Sequence, residues 1–394
     1  MACGQGDFAP QPLPVESPLR DWSDATADDE RWLVLSNAPE KVEAAQSDLP
    51  KRLYACETPI PANGALDCRV YLWHVNRCAY DIRIATVLRL SADVDATAAF
   101  QDHRWQREYA LSNDPAPIGR CLAKAILFQS LDDGVPASGT LQPGIDFVLP
   151  PNGSAIQAPP SATVARLLGT VHEFRVTGTP GHVLSIRTVA SATSDFGGPN
   201  AEMFLPQEPG TQTVHQRGSW PYSQLLVTVD GIAFDAAGTT QSQKDRRGCG
   251  ETNGPEVKTY AKRAEDTHGT VGGNKALRGA ICRYRVRAEN TDVNHGREIA
   301  AFLRARNTNN IWQGAAYAFE EVPPSPIGKG VLPIRTSIEN EVGVRLNQTQ
   351  IGMGLTTKDI TVRVVHGSSG SLPVDLIYWS GPVGTPIHPP PGDE

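Results

Sequence analysis

The sequence predicts an all-β protein: two tandem jelly-roll-like antiparallel β-sandwich domains arising from an internal duplication. Three observations lead there. Gly and Pro are abundant, at 36 and 32 of 394 residues, while Met is scarce at 3, a composition that suits short strands joined by turns and disfavours helices. Stretches such as "CRVYLWHV" and "CRYRVRAE" alternate side-chain character with period two, as a strand with one wet face requires. The chain also repeats itself, since "IATVLR" at Ile84–Arg89 returns as "IAAFLR" at Ile299–Arg304.

The repetition extends beyond that phrase. One run reads "ALDCRVYLWHVN" (Ala65–Asn76), Ile84–Arg89, "LAKAILF" (Leu122–Phe128), "LSIRTV" (Leu184–Val189) and "GSWPYSQLLVTV" (Gly218–Val229). A second reads "GAICRYRVRAEN" (Gly279–Asn290), Ile299–Arg304, "GAAYAF" (Gly314–Phe319), "ITVRVV" (Ile360–Val365) and "GSLPVDLIYW" (Gly370–Trp379). Five blocks keep one order, and the first two keep nearly one spacing, which points to a duplicated domain.

Each block reads as a strand, and alternation should bury Ile84, Thr86 and Leu88 on one face, leaving Arg89 on the other. Half-apolar sheets need a partner face, so each copy should close into a sandwich. Residues 1–50 form an acidic, Pro-rich segment with one short helical stretch, "DDERWLVLSNAPEKVEAA". Residues 51–235 form the first sandwich, with long insertions at Asp93–Gly119 and after Arg187. Residues 236–278 read as a linker with a strand near Val257–Lys262, residues 279–381 as the second sandwich, and 382–394 as a Pro-rich tail.

A net charge of -7 and a pI near 5.8 give no field for nucleic acid or an anionic surface. No stretch approaches the ~18 apolar residues of a membrane span, and "MACGQGDFAPQPLP" lacks the features of a signal peptide. Seven Cys (Cys3, Cys56, Cys68, Cys78, Cys121, Cys249 and Cys282) without an export signal read as reduced thiols, and their spacing is not that of a zinc site.

No nucleophile elbow, phosphate loop or zincin helix is present, so no catalytic residue, metal ligand or cofactor is assigned. "HGTVGGN" (His268–Asn274) lacks the Lys-Ser/Thr that would hold phosphate. His172 and Glu173 are strand neighbours facing opposite ways. The pairs Asp132–Asp133 and Glu320–Glu321 read as solvated turn acids rather than a glycoside-hydrolysing pair, and Asp230–Asp235 in "DGIAFD" as a turn followed by a short strand rather than a calcium site.

The aromatic residues carry more. Trp105 and Tyr109 lie in the polar "QDHRWQREY", Trp220 and Tyr222 flank the last strand of the first copy, and Trp312 and Tyr317 flank "QGAA". Such rings stack on sugar faces or anchor protein partners; equally, they can lid the ends of a sandwich.

This layout, over roughly residues 54–380, resembles the tandem jelly-roll proteins of virions, such as phage head-decoration, vertex, fibre-base or capsid proteins. The helix that usually follows one strand in such capsid subunits is not visible here. The resemblance implies a non-enzymatic structural or attachment protein of a symmetric assembly, located in a virion assembled in the cytoplasm. Its partners would be further copies of itself and other structural proteins. The alternative is a glycan-binding or carbohydrate-active sandwich using the six aromatic residues; an intracellular metalloenzyme ranks third.

Overall fold

A computed structural model describes residues 11–12, 19–20, 26–93, 95–110, 116–131, 137–161, 166–206, 217–234, 241–247, 278–291, 293–305, 315–321, 325–331, 342–352, 356–366 and 374–383. The anticipated features at Cys3, Asp132 and Asp133, Asp235, Cys249, Val257–Lys262, His268–Asn274, Trp312 and, of the tail, residues 384–394 lie outside these residues.

Short strands β1 (Gln11–Pro12), β2 (Leu19–Arg20) and β3 (Thr26–Ala27) precede β4 (Trp32–Ser36) and β5 (Lys41–Val42). The first unit continues with β6 (Lys51–Pro59), β7 (Ala65–Asn76), β8 (Ile82–Leu90), β9 (Ala98–Ala110), helix α1 (Ala116–Leu127), β10 (Ala137–Leu141), β11 (Asp146–Val148), β12 (Ser154–Ile156), β13 (Arg166–Thr177), β14 (Val183–Ser191) and β15 (Arg217–Trp220). The second uses β16 (Gln224–Phe234), β17 (Gln241–Arg247), β18 (Ile281–Asn290), β19 (Arg297–Ala305), β20 (Ala315–Glu321), β21 (Ser325–Val331), β22 (Val342–Ile351), β23 (Thr356–His366) and β24 (Val374–Pro382).

The first unit has a larger sheet in the order β10-β9-β13-β7-β4-β15 and a smaller one in the order β11-β8-β14-β6. The second repeats both: β21-β20-β23-β18-β16-β3, and β22-β19-β24-β17 flanked by β1 and β2. Pairing is antiparallel except for a few short contacts and one matching parallel pair in each unit, β4 with β7 and β16 with β18. The all-β class and the tandem sandwich layout are therefore plain, and equivalent strands occupy equivalent places in the two copies.

Between the sheets of the first unit, Cys68, Val70 and Leu72 of β7 meet Ile84 and Leu88 of β8, Leu168 and Phe174 of β13, and Leu184 and Ile186 of β14. Thr86 is buried beside them, as the alternation of "IATVLR" requires. The other face of β7 was expected to be wet but is not, because Arg69, Tyr71 and Trp73 are buried there too. Arg69 and Tyr71 are covered at Gly279, and Trp73 by helix α1. The helix lies against β9 and β13 on one side and β20 and β23 on the other.

Several expectations are corrected. "LAKAILF" is the end of α1, not a strand: Ile118, Cys121, Leu122, Ala125 and Ile126 are buried at helical spacing while Lys124 faces out. "WLVLS", read as helical, is β4, with all five residues buried. The supposed insertion containing "QDHRWQREY" is β9, a member of the larger sheet and the counterpart of β20. Part of the supposed linker is β17, paired with β24, and β16 belongs to the second unit rather than the first.

The later repeat blocks were also misaligned. "LSIRTV" lies in β14, whose counterpart is β24, whereas "ITVRVV" lies in β23, the counterpart of β13. Any two alternating strands look alike locally, so period two cannot tell these apart. Among the thiols, Cys56, Cys68, Cys78 and Cys282 are buried and not disulfide-bonded. Cys121 is disulfide-bonded, contrary to the expectation of reduced thiols, and its partner lies outside the described residues.

Candidate functional site

Strand β9 presents Trp105, Arg107 and Tyr109 along one face, since alternate residues of a strand point the same way. The Arg107 guanidinium carbon sits 4.9 Å from the Trp105 ring centroid and 5.8 Å from that of Tyr109. A guanidinium held over two aromatic faces is drawn to their negative quadrupoles, which fixes a long side chain in one pose. Trp105 is 9% exposed and Tyr109 43%, so the strip opens progressively toward the Tyr109 end.

Pairing explains the opening. β13 runs beside β9 as far as Ala110, placing His172, Thr170 and Leu168 opposite Trp105, Arg107 and Tyr109. On the other side β10 pairs only from Ala98 to His103. Among the described residues, Arg104–Ala110 therefore has a strand neighbour on one side alone. Its charges guard that edge against sheet-to-sheet pairing, and the aromatic strip lies along it.

The other aromatic candidates are not brought to this strip. Trp220 is fully buried in β15, where it pairs with Leu33 of β4, so it closes the sheet and has no face to offer. Tyr222 is half-buried just beyond it, and burial raises its phenol pKa. Tyr317 lies on β20, opposite Val364 of β23, and Trp312 is outside the described residues. Sequence reading missed Arg107, although "RWQREY" read with period two sets it between the two rings.

A second polar feature lies on the outer face of the smaller sheet. Arg89 of β8, Arg187 of β14 and Arg52 of β6 point away from the core into a cleft of about 250 Å³, lined also by Glu57, Ser91, Ser185 and Glu202. Asp146 of β11 pairs with Arg89 at 2.5 Å and with Arg187. Glu202 reaches all three guanidinium groups: it pairs with Arg52, and lies 3.4 Å from both Arg89 and Arg187. It projects from the short 3-10 turn Pro199–Glu202, in a loop pinned to the sheet by Phe196 against Val87 and Val189.

Burial, together with the neighbouring Arg187 and Arg89 charges, lowers the pKa of Arg52, and burial lowers that of Arg187 against the pull of Asp146. The Nε of Arg187 and that of Arg52 are buried without a hydrogen-bond partner. Sequence reading missed this cluster because its members are far apart along the chain.

The core also holds histidines. His103 and His172 stack with centroids 5.4 Å apart, and Nε2 of one is 3.1 Å from Nδ1 of the other. His74 joins the Ser36 hydroxyl at 3.0 Å to the Pro39 carbonyl at 2.9 Å. Burial pushes His74 and His103 down to about 4, and burial together with His103 holds His172 well below the ordinary imidazole value. On the opposite face of β13, Glu173 binds Arg69 at 2.7 Å and Arg31 at 2.8 Å. Burial works against that carboxylate, but the two arginines outweigh it and hold its pKa below the ordinary value. His172 and Glu173 thus face opposite ways, as expected.

No protein-family model and no curated protein matches this chain. Among solved structures, the chain is similar to the N-terminal CBM22-1-CBM22-2 tandem domain of Paenibacillus barcinonensis Xyn10C, at 11% identity over 94% of both chains with a TM-score of 0.15. It is also similar to tripeptidyl peptidase 2, at 9% identity over 87% of this chain and 24% of that one, with a TM-score of 0.18. Likenesses this loose carry no argument. The fold rests on its own strand pairing.

Proposed function

We propose that the chain is a non-enzymatic attachment protein of a symmetric assembly, of the kind that decorates a virion, and that it contacts surface glycans along β9. The observation that carries this reading is the strip of Trp105, Arg107 and Tyr109 on a sheet edge. The ring of Tyr109 offers a flat apolar face for the C–H side of a sugar. Arg107, already immobilised, donates N–H groups to hydroxyls at little further entropic cost.

The two copies of one sandwich supply a rigid scaffold, and repetition within an assembly would turn weak single contacts into avidity. A glycan array probed with the full chain tests the contact. Tyr109→Ala and Arg107→Ala should each weaken the bound signal about tenfold without changing the melting temperature; unchanged binding in both variants removes the reading. Sedimentation of the purified chain tests the assembly, and a persistent monomer that joins no particle counts against it.

A further inference from the structure

We propose that the cleft of Arg52, Arg89 and Arg187 is a binding site for the carboxylate of an acidic sugar residue, and that Glu202 occupies it as a built-in, displaceable stand-in. This inference is independent of the β9 strip, from which it differs in sheet, face and chemistry.

Three guanidinium groups converge on one carboxylate, that of Glu202, which is 49% exposed at its side chain and stands on a four-residue turn. Arg187 is only 3% exposed, and its Nε lacks a hydrogen-bond partner. A buried donor left unmatched is costly. A ligand that satisfied it would recover part of that cost. Planar guanidinium forks match the two oxygens of a carboxylate.

The surroundings select among anions. Asp146 and Glu57 stand beside the arginines, and their charges repel a dianion such as phosphate more than a monoanion. Ser91, Ser185 and Glu57 supply hydroxyl and carboxylate groups on the same wall, which suit the hydroxyls of a sugar ring. The cleft, at about 250 Å³, has room for about one such ring. A uronic acid satisfies all three demands.

Isothermal titration of the full chain with sodium glucuronate, glucose, acetate and inorganic phosphate tests the assignment. Glucuronate should bind, with affinity falling as salt is raised, while glucose gives no heat and acetate and phosphate bind at least tenfold more weakly. Glu202→Gln should tighten glucuronate binding about tenfold by releasing the arginines. Arg89→Gln, at a partly exposed position that leaves the core untouched, should weaken it at least tenfold, as should Arg187→Gln. Absence of glucuronate binding in both the native chain and Glu202→Gln overturns the proposal, as does unchanged affinity in Arg89→Gln. Acetate matching glucuronate would refute the sugar, and tighter phosphate would refute the carboxylate.

Discussion

Asn76 and Asn290 do the same work in the two sandwiches. Each ends its strand, β7 in one unit and its counterpart β18 in the other, and is fully buried. The Asn76 amide donates to the carbonyls of Tyr80, Ile156 and Gln157 at 3.0, 3.0 and 3.1 Å. The Asn290 amide donates to those of His295 and Gly352, both at 2.9 Å. Each thus ties the following turn to the end of another strand, β12 in one unit and β22 in the other. Cys68 and Cys282 sit at matching positions upstream, each buried in the interior.

Asn76→Ala strips buried carbonyls of their donor and also removes the acceptor, at 2.8 Å, of the Cys78 N–H. At roughly 1–3 kcal/mol for each buried group left unmatched, the first unit should lose at least about 2 kcal/mol. Urea denaturation should show it as a lower midpoint with the slope unchanged, and Asn290→Ala should act in the same direction on the second unit.

Acid should weaken the fold before any surface group explains it. In the unfolded chain imidazoles titrate near 6.5, whereas burial keeps His74 and His103 neutral down to about 4 and also lowers His172 well below its ordinary value. The folded pKa values are depressed, so the unfolded state binds more protons between pH 6.5 and 4. Stability is then full above pH 6.5 and falls steadily below it. With each pKa unit equal to about 1.4 kcal/mol, His74 alone accounts for about 3 kcal/mol by pH 4. Melting temperature against pH measures this, and His74→Gln should flatten the slope in that window.

Gly169 marks the contact of α1 with the larger sheet. A Cβ there would lie 2.7 Å from Cγ2 of Ile118 and 2.7 Å from Cδ1 of Leu122. Gly169→Ala should therefore cost about 1–3 kcal/mol by overpacking. Adding Ile118→Ala should recover part of that loss, giving a non-additive double-mutant cycle readable by chemical denaturation.

Glu173→Gln should be more damaging than its surface-like composition suggests. Arg69 is 2% exposed and uses Glu173 as its counter-charge while also donating to the Gly279 carbonyl at 2.8 Å. Leaving a buried cation without its partner costs about 3–5 kcal/mol. The loss should appear in thermal denaturation, and Arg175→Gln, whose pair with Asp67 is far more exposed, should cost under about 1 kcal/mol.

The parts of the fold legible in the sequence were those written in local pattern. β7 and β18, and β8 and β19, were visible because their alternation and spacing survive duplication. Trp105 and Tyr109 were visible as aromatic residues in a polar stretch, though that stretch is a sheet strand and not an insertion. The stretch holding β4 reads as helical in the sequence, yet burial of all five residues in the larger sheet overrides local preference. The helical spacing of Ile118, Cys121, Leu122, Ala125 and Ile126 is present in the sequence, but "LAKAILF" also fits the order of the repeat blocks.

By itself, the sequence determined the β class, the duplication, the inward set Ile84, Thr86 and Leu88, and the paired positions Cys68 and Cys282 and Asn76 and Asn290. Tertiary structure alone decided that β16 joins the second unit, that the chain before β4 edges it through β1, β2 and β3, and that α1 lies between the larger sheets. It alone gathered Arg52, Arg89, Asp146, Arg187 and Glu202 around one cleft. The physical reason is common to all of these: period two tells a strand which face to bury, but its partner is chosen by hydrogen bonds and packing between segments far apart in the chain, which leave no mark on the local pattern.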